Sequence, residues 1–316
     1  MESLLLSIKV IFPIVTYMAI GYFFKTIKVA SLTTFKEMNK LTFRCFLPLL
    51  VFYNIYESDI RTDFSPMVLF FAIAAILIEI GLSILLVKKG HLAKDDSEEP
   101  VMIQGMYRSN FVLFGMEITR TICGADRMGM ASILVAVIIP LYNACTVVLF
   151  ESYGGKKKGV AHIVKSIFKN PLIIASLLGL LVKFTGITLQ SDIAGVVSKL
   201  GNMATPIALI SLGGTFFFSR VAAYKKQLTI GVFMRLVGFP LFFVIIAVLL
   251  GIRGANLIAL MVLFASPVAV SSYSMAAEMG GNDELAGMLL VISSLCSIIT
   301  MFLWVYCMSA LGLIIS

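Results

Sequence analysis

Long apolar segments alternate with short polar connections along the whole chain. Windows of about 20 mostly apolar residues, the length needed to cross a bilayer, predict ten membrane-spanning helices, numbered here as spans 1 to 10. They lie near residues 4–25, 34–56, 66–88, 99–122, 128–151, 168–187, 193–218, 227–251, 255–279 and 285–312. The pattern therefore predicts an all-α membrane protein.

The two halves of the chain carry the same helix-breaking and polar residues in the same order. Pro13, Gly21, Lys25, Pro48, Ser109, Gly124 and Asp126 recur as Pro171, Gly179, Lys183, Pro206, Ser266, Gly281 and Asp283. The offset stays close to half the chain length, which predicts two five-helix repeats at residues 1–152 and 160–316. Because five is an odd number, we expect the second repeat to be inverted in the membrane.

Basic residues mark every second connection between the spans. Lysines concentrate between spans 1 and 2, 3 and 4, 5 and 6, and 7 and 8, whereas the other connections carry little more than Arg61, Arg127 and Arg253. Basic connections stay in the cytoplasm. We therefore predict a multi-pass protein of the plasma (inner) membrane with both termini on the non-cytoplasmic side.

Composition supports the membrane assignment and excludes other classes of protein. The chain is 59% hydrophobic and 13% charged, so lipid must cover much of its surface. The formal net charge of +8 lies in the short connections, and we expect no nucleic acid partner. No HExxH, P-loop or Ser/His/Asp set is present, which predicts no enzyme, no metal site and no cofactor beyond a coupling proton or sodium ion.

Spans 4 and 9 occupy the same place in each repeat, and both contain helix-breaking residues. Pro267 removes a backbone donor and disfavours helix at Ser266. Irregular backbone at this depth survives where it is buried or lines a cavity, so the matched breaks predict a midplane substrate site. Two kinked helices without a ligand are the alternative. The predicted substrate-binding residues are Arg108, Ser109, Asn110, Gly115, Ser266, Pro267, Ser271 and Ser272.

Several stretches together resemble the auxin efflux carrier family, within the wider bile acid/sodium symporter-like superfamily. They are NKLTFRCFLPLLVFYNI, FKNPLIIASLLGLL, ATPIALISLGG and SPVAVSSYSMAAEMGGNDELAG, and the resemblance covers nearly the whole chain. It implies a ten-helix transporter with a scaffold of helices 1, 2, 6 and 7. Helices 3–5 and 8–10 would form a moving domain with crossed broken helices 4 and 9. The implied cargo is an organic anion, such as auxin in plants or small carboxylates in bacteria.

The sequence departs from this family in broken helix 4. The family places an isoleucine-proline pair after the glycine that corresponds to Gly115, whereas this chain has Met116 and Glu117. We interpret Glu117 as a proton-coupling carboxylate; the alternative is a static ion pair with Arg120, one helical turn on.

Among the charged residues within the spans, Arg108 is the strongest candidate for a functional role. Its guanidinium either holds a substrate carboxylate or serves as counter-ion to Glu117 or Glu79. For Arg235 we favour extension of the side chain to the cytoplasmic edge. On spans 2 and 7, Thr42, Asn54 and Thr205 are expected to line the scaffold side of the site; the alternative is that they join helices.

These features predict a proton-coupled secondary active transporter of a small organic anion that works by an elevator-type movement. The alternatives are a sodium-coupled symporter of organic anions, a nutrient sensor that does not transport, and a passive channel. The expected partners are the anion, membrane lipid and a second copy of the chain, in a homodimer formed through the scaffold helices.

Overall fold

The computed structural model describes residues 2–58, 64–124, 127–153 and 160–313, and within them the chain is all-helical. The predicted α class is therefore confirmed. Arg61, Asp126 and the basic connection at 154–159 lie outside the described residues. The helices are α1 (Glu2–Thr26), α2 (Leu32–Leu41), α3 (Leu47–Glu57), α4 (Pro66–Lys89), α5 (Glu98–Tyr107), α6 (Met116–Cys123), α7 (Gly129–Tyr153), α8 (Val160–Lys169), α9 (Pro171–Thr185), α10 (Ser191–Asn202), α11 (Ala204–Thr215), α12 (Lys225–Phe233), α13 (Phe239–Leu249), α14 (Gly254–Ala265), α15 (Val270–Glu278) and α16 (Asp283–Ala310).

Five helical stretches in the described part of the chain are long and apolar enough to cross a membrane. They are Pro66–Lys89, Gly129–Tyr153, Ser191–Thr215, Phe218–Leu249 and Asp283–Ala310. A sixth candidate joins Ala161–Lys169 to Pro171–Thr185 through a bend of 65°. Ile11–Thr26 and Gly254–Ala265 are shorter apolar helices, and the remaining predicted spans are interrupted by breaks.

Large apolar side chains cover the outer surface of the helices. Phe70, Phe184 and Leu249 are 71%, 76% and 79% exposed. Apolar surface on this scale is unfavourable in water, and helices satisfy their own backbone groups in lipid. The protein is therefore a multi-pass membrane protein.

Spans 2 and 8 each contain a π-helical turn that ends two residues before a proline. These turns are Thr42–Phe46, ahead of Pro48, and Met234–Gly238, ahead of Pro240. Because proline lacks an N–H group, the carbonyl four residues earlier loses its helical partner. For Pro240 that carbonyl belongs to Leu236, and the indole N–H of Trp304 donates to it at 2.9 Å. The π turn at 234–238 is thus fixed by a side chain of α16.

Glycines bring α1 and α11 into close contact. A Cβ atom added at Gly21 would overlap the carbonyl oxygen of Ile210, and one added at Gly213 would overlap that of Met18. Small residues let membrane helices approach this closely. Gly179, which matches Gly21 in the repeat, likewise lies where α9 packs on α3. Span 1 therefore packs on span 7, and span 6 packs on span 2.

A carboxylate outside the membrane segments fixes the start of α5. The side chain of Asp95 accepts hydrogen bonds from the N–H and hydroxyl of Ser97, at 2.8 and 2.6 Å, and from the N–H of Glu98 at 3.1 Å. The hydroxyl contact lowers the pKa of Asp95 below its usual value. Asp95 thereby satisfies N–H groups at the beginning of the helix whose other end forms the candidate site.

Candidate functional site

Two broken helices cross where α5 and α14 end. The amide of Asn110 donates to the carbonyl of Pro267 at 2.8 Å, and the amide of Ala269 donates to the carbonyl of Arg108 at 3.3 Å. Ser109 and Val268 form an antiparallel β-bridge between these contacts. Each extended segment thus satisfies backbone groups of the other that a helix would have satisfied internally.

The two half-helices that lead to this crossing are each too short to span a membrane. Helix α5 has 10 residues and α14 has 12. At 1.5 Å per residue they cover about 15 and 18 Å, which is about half of the hydrocarbon core of a bilayer. Two helices of this length that entered from opposite surfaces would meet near the midplane, where the sequence predicts the substrate site.

A cavity of about 490 Å³ opens beside the crossing. Its volume is in the range of sites that bind small molecules. Residues of α1, α3, α7, α10 and α11 complete its lining. The predicted site residues that line it are Arg108, Ser109, Asn110, Ser271, Glu117, Asn54 and Thr205.

Five predicted site residues do not line the cavity: Thr42, Gly115, Ser266, Pro267 and Ser272. The hydroxyl groups of Thr42 and Ser266 donate to carbonyls of their own helices, at 2.8 and 2.6 Å. Pro267 contributes its carbonyl to the crossing. Gly115 leaves room for the ring of Phe111, since an added Cβ would overlap that ring. These five residues do not face the cavity.

Arg108 faces the cavity with its guanidinium held by neutral groups. Nη2 donates to Oδ1 of Asn143 at 2.7 Å and to the hydroxyl of Ser271 at 3.0 Å. Nη1 donates to the hydroxyl of Thr146 and contacts the sulfur of Met275, both at 2.9 Å. None of these four partners is acidic. The side chain is 4% exposed, so the charge lies in a poorly hydrated place where an anion would be strongly favoured.

Glu79 pairs with Arg235 and not with Arg108. Nη1 of Arg235 lies 3.2 Å from Oε1 of Glu79, and both side chains are fully buried. The interpretation of Arg108 as counter-ion to Glu79 is therefore wrong. The expectation that Arg235 extends to the cytoplasmic edge is also wrong, because its guanidinium points into the protein interior.

Glu117 lies at the cavity on the first turn of α6. In the described part of the chain its carboxylate has no hydrogen bond or ion pair, and its side chain is exposed. The alternative interpretation, a static ion pair between Glu117 and Arg120, is therefore wrong. Neither does an ion pair join Glu117 to Arg108 among the described residues.

The beginnings of two half-helices also face the cavity. Val270 and Ser271 start α15, and the π turn Phe111–Gly115 leads into α6. N–H groups at the start of a helix lack internal partners and carry partial positive charge, which suits an anion. Nδ2 of Asn110 is buried and has no hydrogen-bond partner within the described residues.

Comparison with known proteins identifies the family of the protein that contains this cavity. Residues 6–305 match the family described as membrane transport protein. The chain belongs to this family. The resemblance to auxin efflux carriers noted from the sequence is thereby confirmed. The protein is a membrane transporter, and its family is one of transporters and not of enzymes. A similar protein is an uncharacterized transporter of Methanothermobacter thermautotrophicus, 23% identical over 301 residues that cover 94% of this chain and 97% of the relative.

In this membrane transporter, α7 contributes candidate site residues that were not predicted from the sequence. Asn143 and Thr146 hold Arg108, and the hydroxyl group of Tyr142 lies 3.3 Å from that of Ser109. A signal for them exists in the sequence. Polar side chains at 142, 143 and 146 follow Pro140 within an otherwise apolar span, and buried polar groups in a membrane need partners.

Proposed function

We propose that this transporter is a secondary active carrier of a small organic anion, such as a carboxylate or an auxin-like molecule. The observation that carries the proposal is the set of donors at the cavity: the guanidinium of Arg108, the unpaired amide of Asn110 and the start of α15. A carboxylate bound there would receive charge-assisted hydrogen bonds and would balance a positive charge that meets neutral partners alone among the described residues.

The proposed architecture is ten transmembrane helices in two inverted repeats, residues 1–152 and 160–316. Its support is the exchanged packing, in which span 1 contacts span 7 while span 6 contacts span 2. We propose that helices 1, 2, 6 and 7 form the scaffold, and that helices 3–5 and 8–10 carry the crossing past it in an elevator-type movement. This division is supported by the lining of the cavity, to which α1, α3, α10 and α11 contribute together with the crossing.

We further propose that Glu117 couples transport to protons. Its carboxylate faces the cavity and has no ion pair in the described part of the chain. When ionised, it would oppose an anionic substrate; when protonated, it would not. Proton binding would thereby favour loading of the anion, and the two fluxes would be linked.

Uptake by the full chain reconstituted in liposomes tests the proposed function. Labelled indole-3-acetate, benzoate and malonate are offered under a proton gradient, a sodium gradient or neither. We expect accumulation of at least one of them with the proton gradient alone. Asn110→Ala should lower that uptake several-fold, whereas Gln190→Ala, at an exposed connection, should not.

Other outcomes assign a different function. Accumulation that requires a sodium gradient indicates the sodium-coupled symporter. Flux that only runs down the anion gradient indicates a passive channel, and saturable binding without flux indicates a sensor. Absence of both binding and flux for every organic anion tested contradicts the proposal.

A further inference from the structure

Arg235 joins the carboxyl ends of both broken helices. It lies in the π turn Met234–Gly238, and its Nη1 donates to the carbonyls of Tyr107 and Met106 at 2.6 and 3.0 Å. Its Nη2 donates to the carbonyl of Phe264 and lies 3.5 Å from that of Leu263. These four carbonyls belong to the last turns of α5 and α14. A single guanidinium therefore serves two helix ends from opposite halves of the chain.

Two helix ends of this kind, buried together, need a cation. The last carbonyls of a helix lack internal partners and carry partial negative charge. Water and lipid headgroups do not reach this place, because the Arg235 side chain is fully buried. In transporters built from inverted repeats, half-helix carboxyl ends and unwound carbonyls coordinate the coupling cation. In this chain a side chain supplies the positive charge.

Glu79 positions this guanidinium from a third direction. Its Oε1 accepts from Nη1 at 3.2 Å, and it lies on α4, which packs against α5. The other carboxylate oxygen and Nε of Arg235 have no partner within the described residues. Were Arg235 absent, a carboxylate and four carbonyls would surround the vacated space, which is an oxygen set of the kind that hard cations prefer.

We propose that Arg235 is a tethered cation that replaces a coupling metal ion between the two half-helix carboxyl ends, so that anion binding by this transporter needs no sodium. The effect on the anion rests on the proposed function. Its route is short, because Arg235 holds the carbonyl of Tyr107, and the next residue is Arg108 at the cavity. Arg235 is thus a positioning residue for the anion site.

A different role for Arg235 makes different predictions. If the guanidinium only balances the charge of Glu79, removing both charges together should restore normal behaviour, since neutral replacement of a buried ion pair is often tolerated. If the guanidinium caps the helix ends, the double variant still lacks a cation there. Glu79→Gln/Arg235→Gln therefore separates the two roles.

The first experiment needs no substrate. Apparent melting temperatures of the purified full chain are measured in sodium chloride, guanidinium chloride and choline chloride at equal low ionic strength. The wild-type value should be the same in sodium and choline. Arg235→Ala should melt lower, and sodium or guanidinium, but not choline, should restore part of the loss, because a ligand that binds the folded state stabilises it.

Two variants serve as controls for this measurement. Arg253 also donates to backbone carbonyls at a helix end, those of Val248 and Ile252, but it is exposed. Arg253→Ala should show no response to the choice of cation. Arg235→Lys keeps the charge and should remain insensitive to sodium. A wild-type melting temperature that rises in sodium overturns the proposal, as does an Arg235→Ala variant that folds and shows no difference between cations.

The second experiment measures exchange of the carboxylate that the liposome screen identifies. We expect wild-type exchange in sodium-free buffer and a loss of about tenfold in Glu79→Gln/Arg235→Gln, which is in the range usual for coupling between sites. If this double variant exchanges the carboxylate as fast as the wild type, the proposal is overturned. This result does not depend on whether Arg235→Ala folds. If the wild type carries no anion, the proposed function fails, while the melting experiment still decides the role of Arg235.

Discussion

Replacement of Arg108 by glutamine removes a positive side chain that faces the cavity and whose hydrogen-bond partners among the described residues are all neutral. If its guanidinium holds the anion, the substitution removes a charge-assisted contact worth about 1.5 to 3 kcal/mol. The dissociation constant of the anion should then rise about ten- to a hundredfold, since about 1.4 kcal/mol corresponds to a factor of ten. Arg108→Lys should also weaken binding, because an ammonium group cannot reproduce the planar fork that holds two oxygens.

The same substitution has a separate effect on stability. Arg108→Gln withdraws donors from Asn143, Thr146 and Ser271, and a buried acceptor left without a donor costs about 1 to 3 kcal/mol. Glutamine is long enough to keep one of these contacts. Size-exclusion profiles and apparent melting temperatures must therefore accompany the binding data, so that a loss of folded protein is not taken for a loss of affinity.

Calorimetric titration of the purified chain with the identified carboxylate measures the affinity. Arg253→Gln is the matched control, because this arginine is exposed and contacts only backbone carbonyls away from the cavity. The double variant Arg108→Gln/Glu117→Gln tests the alternative that Arg108 only balances the charge of Glu117. Recovery of wild-type affinity in that double variant, or unchanged affinity in Arg108→Gln alone, would refute the assignment of Arg108 as the anion-binding group.

Three further predictions concern coupling, packing and topology. Glu117→Gln should abolish accumulation driven by a proton gradient while exchange at equal pH continues; accumulation that keeps its full dependence on the gradient excludes Glu117 as the coupling site. Gly21→Ala should lower the apparent melting temperature, because its Cβ would overlap the backbone of α11 at a cost of about 1 to 3 kcal/mol. Gly81→Ala, with open space around the added Cβ, should leave the melting temperature unchanged. Equal melting temperatures of the two variants would contradict the close packing of α1 on α11. In a cysteine-free background, Asp96→Cys and Gln190→Cys should react with an impermeant thiol reagent from opposite sides of the membrane, with position 96 cytoplasmic; labelling of both from one side rules out the proposed topology.

The positions of the helix breaks could be predicted from the sequence because their cause is local, whereas their crossing is implied by the family resemblance. Pro267 removes a donor, and the repeat aligns Ser266 with Ser109. The pairing of Arg235 could not be predicted in this way. Its partners Glu79 and Tyr107 lie 156 and 128 residues away along the chain, and only the crossing of the broken helices brings them together. Considered alone, an arginine in an apolar span with Gly238 and Pro240 just beyond it favours an interfacial side chain.

The sequence also could not distinguish cavity residues from their neighbours. Ser271 lines the cavity and Ser272 does not, although they are adjacent in the same helix. Successive helical residues point about 100° apart, so a short polar run always presents several faces. Which face meets the cavity depends on the angle at which α15 leaves the crossing, and tertiary packing sets that angle.

The two arginines near the crossing have different surroundings, which is why we propose different roles for them. Arg235 already contacts the carboxylate of Glu79 and four backbone carbonyls, so little of its charge remains for a further anion. Arg108 borders the cavity and has neutral partners throughout the described part of the chain, so its charge is still available. A buried charge without a compensating partner is costly, and it persists where a ligand supplies the missing charge. Since the carbonyl held by Arg235 immediately precedes Arg108, Arg235 fixes the backbone from which Arg108 would reach the proposed anion.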